Sequence, residues 1–364
     1  MRRRQGRVNR WTLVILALLA IVAYLIEGRT IRLRRVRNYE LKLAAAQLSN
    51  RAFQVIKQFR TTQEIPIDTV NDPNKTGLIG LYSSQTTYGR SDLSDALTTT
   101  NPNFSAALVE MLLQAGLRQG DTIAISWDGT YPALNIQLLA VVQTLRLVPL
   151  IVTAQSSGMW GANYPGLSWL RLERALIDAG LWNFRSRLAT LGGETDDGRG
   201  LAPTGREELV QAAESAGVEC FVPQTLAQGV RRRLELFANC RALVSVGTPI
   251  ANLGAPNVRI TSKVLKRVSP KIPEAGLIGQ MLERHIPVIH IANPSQVAAD
   301  YRLPIAPEPL PEPGKGRLFL EKRSSPVVAA ILAILLLVAL AVVVRFDIES
   351  YFGHRANDEE KEAV

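Results

Sequence analysis

Cysteine is almost absent from this sequence: Cys220 and Cys240 are the only two in 364 residues. A disulfide framework and a Cys-rich metal site are thereby excluded, and two free thiols are a simpler reading than one bridge. Histidine is nearly as scarce. His285 and His290 sit in or beside an apolar run and His354 lies near the C-terminus, which is poor material for a zinc site or a serine triad. No G-x-G-x-x-G or G-x-x-x-x-G-K-[ST] stretch is present, and no G-x-S-x-G elbow surrounds Ser126. The usual nucleotide cradles and the hydrolase nucleophile turn therefore lack their signatures.

Acidic residues are the minority, 32 against 42 Lys and Arg, for a formal net charge of +10. The location of the excess decides its meaning. Residues 1–42 hold eleven Arg or Lys against only Glu27 and Glu40, and the rest of the chain is close to neutral. Cations on both flanks of an apolar run read as lipid headgroup contact and control of membrane topology, not as a groove for nucleic acid.

Two long runs lack charge altogether. Trp11 to Ile26 would span about 24 Å as a helix, and Pro326 to Val344 about 28 Å, close to a bilayer core. No small-residue cleavage site follows the first run, so a retained signal anchor is expected at 11–27 and a second transmembrane helix at 326–344. Both ends then share one side of the cytoplasmic (inner or plasma) membrane. The arginines before the first span and the Lys/Arg cluster at 315–323 pull the central domain toward opposite sides.

The remaining chain divides by composition. Residues 1–10 form a basic N-terminus and 28–60 a Pro-free helical stalk, while 304–325 read as a Pro-rich linker and 345–364 as a charged tail. Residues 61–303 alternate short β-branched runs with amphipathic stretches. Strands are predicted at GLIGLY, DTIAISW, VPLIVTA, SRLATLG, VECFVP, RALVSVG and IPVIHIAN. Helices are predicted between them, several closed by Gly116, Gly180 or Gly217. That pattern predicts an α/β fold, a mainly parallel Rossmann-like sheet with helices on both faces, bracketed by the two membrane helices.

In such a sheet ligands bind beyond the strands' carboxyl ends. The loops there supply the candidate ligand-binding residues Ser126, Thr130, Asn135, Ser157, Trp160, Asn163, Gly193 and Gly247. Asp128, Asp196 and Asp197 are the candidate catalytic groups: converging carboxylates suit proton transfer or a hard cation such as Mg²⁺, although no specific motif supports a metal and Asp beside Gly is also ordinary turn chemistry. Arg231 to Arg233 read as a solvated helix face, and His290 as an interior residue near a strand end.

The segments TTNPNFSAALVEMLLQAGLRQGD, YPALNIQLLA, WGANYPGLSWLRLERAL and LGGETDDGRGL resemble the poly-γ-glutamate system protein family, membrane proteins that accompany the synthesis and export of that polymer. The similarity runs from Gly77 to about Gly254. Where that family's loop before PALN is rich in Ser and Gly, this chain reads SWDGTY. The resemblance implies an accessory role in making or exporting poly-γ-glutamate, with the bilayer, the synthase and export subunits and the polymer itself as partners; it supplies no reaction. Two rival readings are a membrane-tethered hydrolase or transferase with a carboxylate-based site, and a purely structural tether whose strand-end loops are packed shut.

Overall fold

The computed structural model describes residues 10–345. All of the charged tail but Arg345, and all of the basic N-terminus but Arg10, lie outside the described residues. The chain divides into two compact units, one formed by the two ends of the chain and the other by 36–319.

In the first unit, α1 (Arg10–Arg29) leads into β1 (Arg32–Arg35), which pairs antiparallel with β11 (Leu320–Arg323) ahead of α12 (Pro326–Arg345). Among the described residues one helix, Pro326–Val343, is long and apolar enough to cross a membrane by length and composition. Two were expected. The helix α1 is 20 residues long and its uncharged stretch, Trp11 to Ile26, would span about 24 Å. Its aliphatic side chains from Leu13 to Ile26 are largely exposed, as are those of α12.

The segment expected as a stalk is not one. The chain turns at β1, and α2 (Tyr39–Thr62) belongs to the second unit, with Ala45, Ala52, Phe53 and Ile56 in its core. Lys42, grouped by sequence with the lipid-facing cations, is fully buried: its Nζ pairs with Glu110 at 2.6 Å and donates to the Leu318 carbonyl. After α2 come α3 (Leu93–Thr99) and α4 (Phe104–Gln114), then the central strand β2 (Thr122–Asp128). Next along the chain are α5 (Pro132–Leu145), β3 (Val148–Ala154), the small hairpin of β4 (Asn163–Tyr164) and β5 (Leu167–Ser168), α6 (Trp169–Asp178), β6 (Leu188–Thr190), α7 (Pro203–Ala216) and β7 (Glu219–Cys220). The return half contains α8 (Leu226–Leu236), β8 (Leu243–Val246), α9 (Ile250–Leu253), β9 (Lys263–Leu265), α10 (Leu277–Glu283), β10 (Val288–Ile291) and α11 (Pro294–Asp300).

Seven strands form one sheet in the order β7-β6-β3-β2-β8-β10-β9, parallel except for β9 at one edge. From β2 the chain winds outward through β3, β6 and β7, then returns to the other side of β2 at β8. Side chains alternate between the faces. Ile123, Ile125 and Trp127 of β2 pack with α2, α4, α5 and α6, whereas Ala124, Leu243 and Val288 pack with α8, α9 and α10. The sheet is thus mixed α/β, mainly parallel, and covered by helices on both faces. Gly116, Gly180 and Gly217 take positive φ just past their helices, as their spacing predicts.

Within the region of the seven-stranded sheet two strand assignments differ, and the short strands β1, β4, β5 and β11 were not predicted. GLIGLY forms no strand, because its backbone is held by the 160–163 loop: Gly80 N–H donates to the Trp160 carbonyl and Trp160 N–H to that of Leu81. The edge strand β9 carries no alternating apolar run and was not predicted. The Pro-rich stretch is also less free than a linker. Asn74 donates to the Pro307 carbonyl, and Asn103, placed to cap α4, spends its amide on Glu312 and Gly314 instead.

Candidate functional site

The winding direction reverses between β2 and β8, the position where open α/β sheets leave a crevice for ligands. Asp128 stands there as the last residue of β2. Its Oδ1 accepts from Thr130 N–H at 2.9 Å, and its Oδ2 from Thr248 N–H at 3.1 Å, which ties the loop after β2 to the loop after β8. Burial pushes its pKa up to about 6 against these hydrogen bonds. Gly247 has φ +77°, and a Cβ there would overlap the carboxylate. Asn135 on α5 donates from Nδ2 to the Asp128 carbonyl, while its own Oδ1 is buried without a partner.

One step down the sheet is a polar row. Strand register aligns Ser126, Ser245 and His290 on the face carrying Asp128. Asn252 of α9 covers them: its Oδ1 accepts from Ser126 Oγ at 2.6 Å, and its Nδ2 donates to the Ser126 carbonyl and to Ser245 Oγ. His290 Nδ1 lies 3.2 Å from Ser245 Oγ, and its Nε2 is buried without a partner. Burial lowers the His290 pKa to about 4, so the ring is neutral at pH 7. The chain Ser126, Asn252, Ser245, His290 contains no carboxylate and does not build a nucleophilic triad.

The remaining loop residues interlock. Ser157 Oγ donates to the Gly129 carbonyl, Thr130 Oγ1 accepts from Gly158 N–H, and Gly193 N–H donates to Ser156 Oγ. Asn163 accepts from Leu81 N–H and donates to the Leu81 carbonyl and Thr87. Trp160, at φ +64°, packs its ring edge-on against Tyr82. Of the eight candidate binding residues, Ser126, Thr130, Asn135, Ser157, Asn163, Gly193 and Gly247 hold protein partners or neighbours, and all seven are buried.

The three candidate carboxylates take separate partners. Asp196 accepts from Thr190 and pairs with Arg233; Asp197 accepts from Thr195 and from Arg199 N–H. Among the described residues no group of three His, Cys, Asp or Glu could hold a metal ion. Arg233 is not solvated: it is fully buried, in contrast to the expectation for the Arg231 to Arg233 run.

Two features escaped the sequence reading. Glu173 of α6 is 2% exposed and accepts from Ser186 N–H and Oγ, and Ser186 connects through Thr153 to the Trp127 indole. Burial raises its pKa to about 7. Its spacing from Leu170 and Leu176 put it on the buried stripe of α6, a signal that was there to find. The second is a stretch without any Asp or Glu, 236–273, whose cations gather at the β9 edge.

No family model matches the sequence, and no curated protein matches it.

Proposed function

We propose that this chain is an accessory membrane component of poly-γ-glutamate assembly or export, held at the bilayer by two passes, α1 and α12, and acting through binding by a Rossmann-like domain. The observation that carries this reading is how the four segments behind the family resemblance fold. Ser105 donates to Gln137 and so joins the first to the second; Ala162 N–H donates to the Gly129 carbonyl, just ahead of YPALN; Ser156 holds Gly193 of the fourth. The loops after β2 and β3 are interlocked in the same way, a packing that the structural-tether reading shares. An apolar, exposed α12 supports action at a lipid surface.

Deletion of the gene in a polymer-producing cell tests it. A change in polymer yield, chain length or surface attachment is expected, and no change in any of the three removes the reading. A membrane-tethered hydrolase or transferase is the second reading, favoured by the Asp128 carboxyl held near pKa 6 at the reversal point. Complementation with Asp128→Asn separates the two: full rescue favours binding, and no rescue by a normally folded variant favours chemistry.

A further inference from the structure

A concavity of the α/β unit lies away from the strand-end loops, at the antiparallel edge of the sheet. It is a cleft of about 730 Å³ formed by β9 and the segment after it, with Gln114 of α4 contributing to the wall. Arg259, Lys263, Lys266, Arg267 and Lys271 line it, and all five are exposed. No acidic residue lines the cleft, and none of the five forms an ion pair among the described residues. The sequence around them contains no Asp or Glu from 236 to 273.

Five cations converging without a counter-charge repel one another, and an anion relieves that repulsion. We infer that this cleft binds a polyanion, and specifically a carboxylate polymer, the identity of the polymer resting on the function proposed above. The two guanidinium groups match carboxylates in a two-pronged geometry, and the three ammonium groups act as point charges along the same wall. A polymer with one carboxylate per unit engages several at once, so weak individual contacts add through effective concentration. Nucleic acid fits less well. No aromatic ring lines the cleft to stack a base, and its apolar surface is aliphatic, as at Val264 and Val268.

The test uses the full chain in non-ionic detergent and poly-γ-glutamate of defined length. The triple variant Lys263→Gln, Lys266→Gln, Arg267→Gln should bind at least about tenfold more weakly. Arg51→Gln, Arg118→Gln, Arg171→Gln removes the same charge elsewhere and should stay within about twofold. Lys266→Glu alone, a single exposed change, repeats the loss should the triple variant fold poorly. Triple-variant binding equal to that of the unaltered protein overturns the site, and leaves the lysines as guards against strand pairing at an open edge. Tighter binding of polyphosphate, single-stranded DNA or phosphatidylglycerol vesicles at matched charge overturns the carboxylate assignment. Normal polymer on gene deletion with cleft-dependent binding retained would remove the proposed function alone; altered polymer with cleft-independent binding would remove this site alone.

Discussion

Arg233 and Asp196 meet with both side chains fully buried: Nη1 donates to Oδ2 at 2.5 Å and Nη2 to Oδ1 at 3.2 Å. The pair fastens α8 to the loop after β6. A buried pair stabilises little relative to an apolar replacement, but removing one member strands the other charge away from water. Arg233→Met and Asp196→Asn should therefore each cost about 3–5 kcal/mol. The double variant should cost clearly less than the two losses combined, because neither charge is then orphaned. Urea midpoints of the three variants check both statements.

Glu173 titrates in the range where cells live. Burial raises its folded pKa to about 7 from an ordinary 4.5, so the folded state holds a proton that the unfolded chain releases. Its contribution is complete below pH 4.5 and is lost as pH rises through about 7. Asp128, raised to about 6, acts in the same direction over a narrower window. His290 acts oppositely: with a folded pKa near 4 its contribution holds above pH 6.5 and is lost as pH falls toward 4. Glu173→Gln should remove the alkaline part of this profile. At pH 8 the variant should gain on the order of 2–3 kcal/mol relative to the parent, with little difference at pH 4.5, read as melting temperature against pH.

The parallel core was legible because its strands are continuous apolar runs between turn residues. VPLIVTA became β3 residue for residue, and RALVSVG and IPVIHIAN contain β8 and β10. GLIGLY misled because an apolar run reports burial, not pairing: Leu78 and Ile79 are buried, yet their segment bonds to a loop. The placement of the candidate loops followed from βα alternation, which puts the strand-to-helix turns of a parallel sheet at one edge. Their wiring did not. Pairs such as Ser126 with Asn252 and Asp196 with Arg233 join residues 126 and 37 positions apart, beyond any local pattern. The β9 edge escaped because charge was weighed by the whole chain and its N-terminus, which averaged away an acid-free stretch.

Gly247 separates backbone strain from crowding. Gly217 has φ +65° with open space around it, whereas Gly247 has φ +77° and its added Cβ would collide with the Asp128 carboxylate. Gly217→Ala should cost about 1 kcal/mol, the strain of a left-handed alanine. Gly247→Ala should cost at least about 2 kcal/mol and break the Asp128 to Thr248 bond. Comparable losses in thermal unfolding would mean that the Asp128 carboxylate moves aside freely.

The ends of the α/β unit meet, Val36 N–H donating to the Phe319 carbonyl at 2.9 Å, and its core is built from residues within that span. The exposed large aliphatics, by contrast, concentrate in α1 and α12, where Leu18, Val22, Ile334, Leu337 and their neighbours face outward. A contiguous apolar surface of that extent is not stable against water, whereas 36–319 leaves only scattered apolar side chains exposed. The full chain should therefore partition into the detergent phase on Triton X-114 extraction, and the segment 36–319 expressed alone should stay in the aqueous phase with its helical circular dichroism intact. Removing only 320–364 discriminates further: retention in the detergent phase would make α1 an anchor in its own right, and release into the aqueous phase would leave α12 as the sole span.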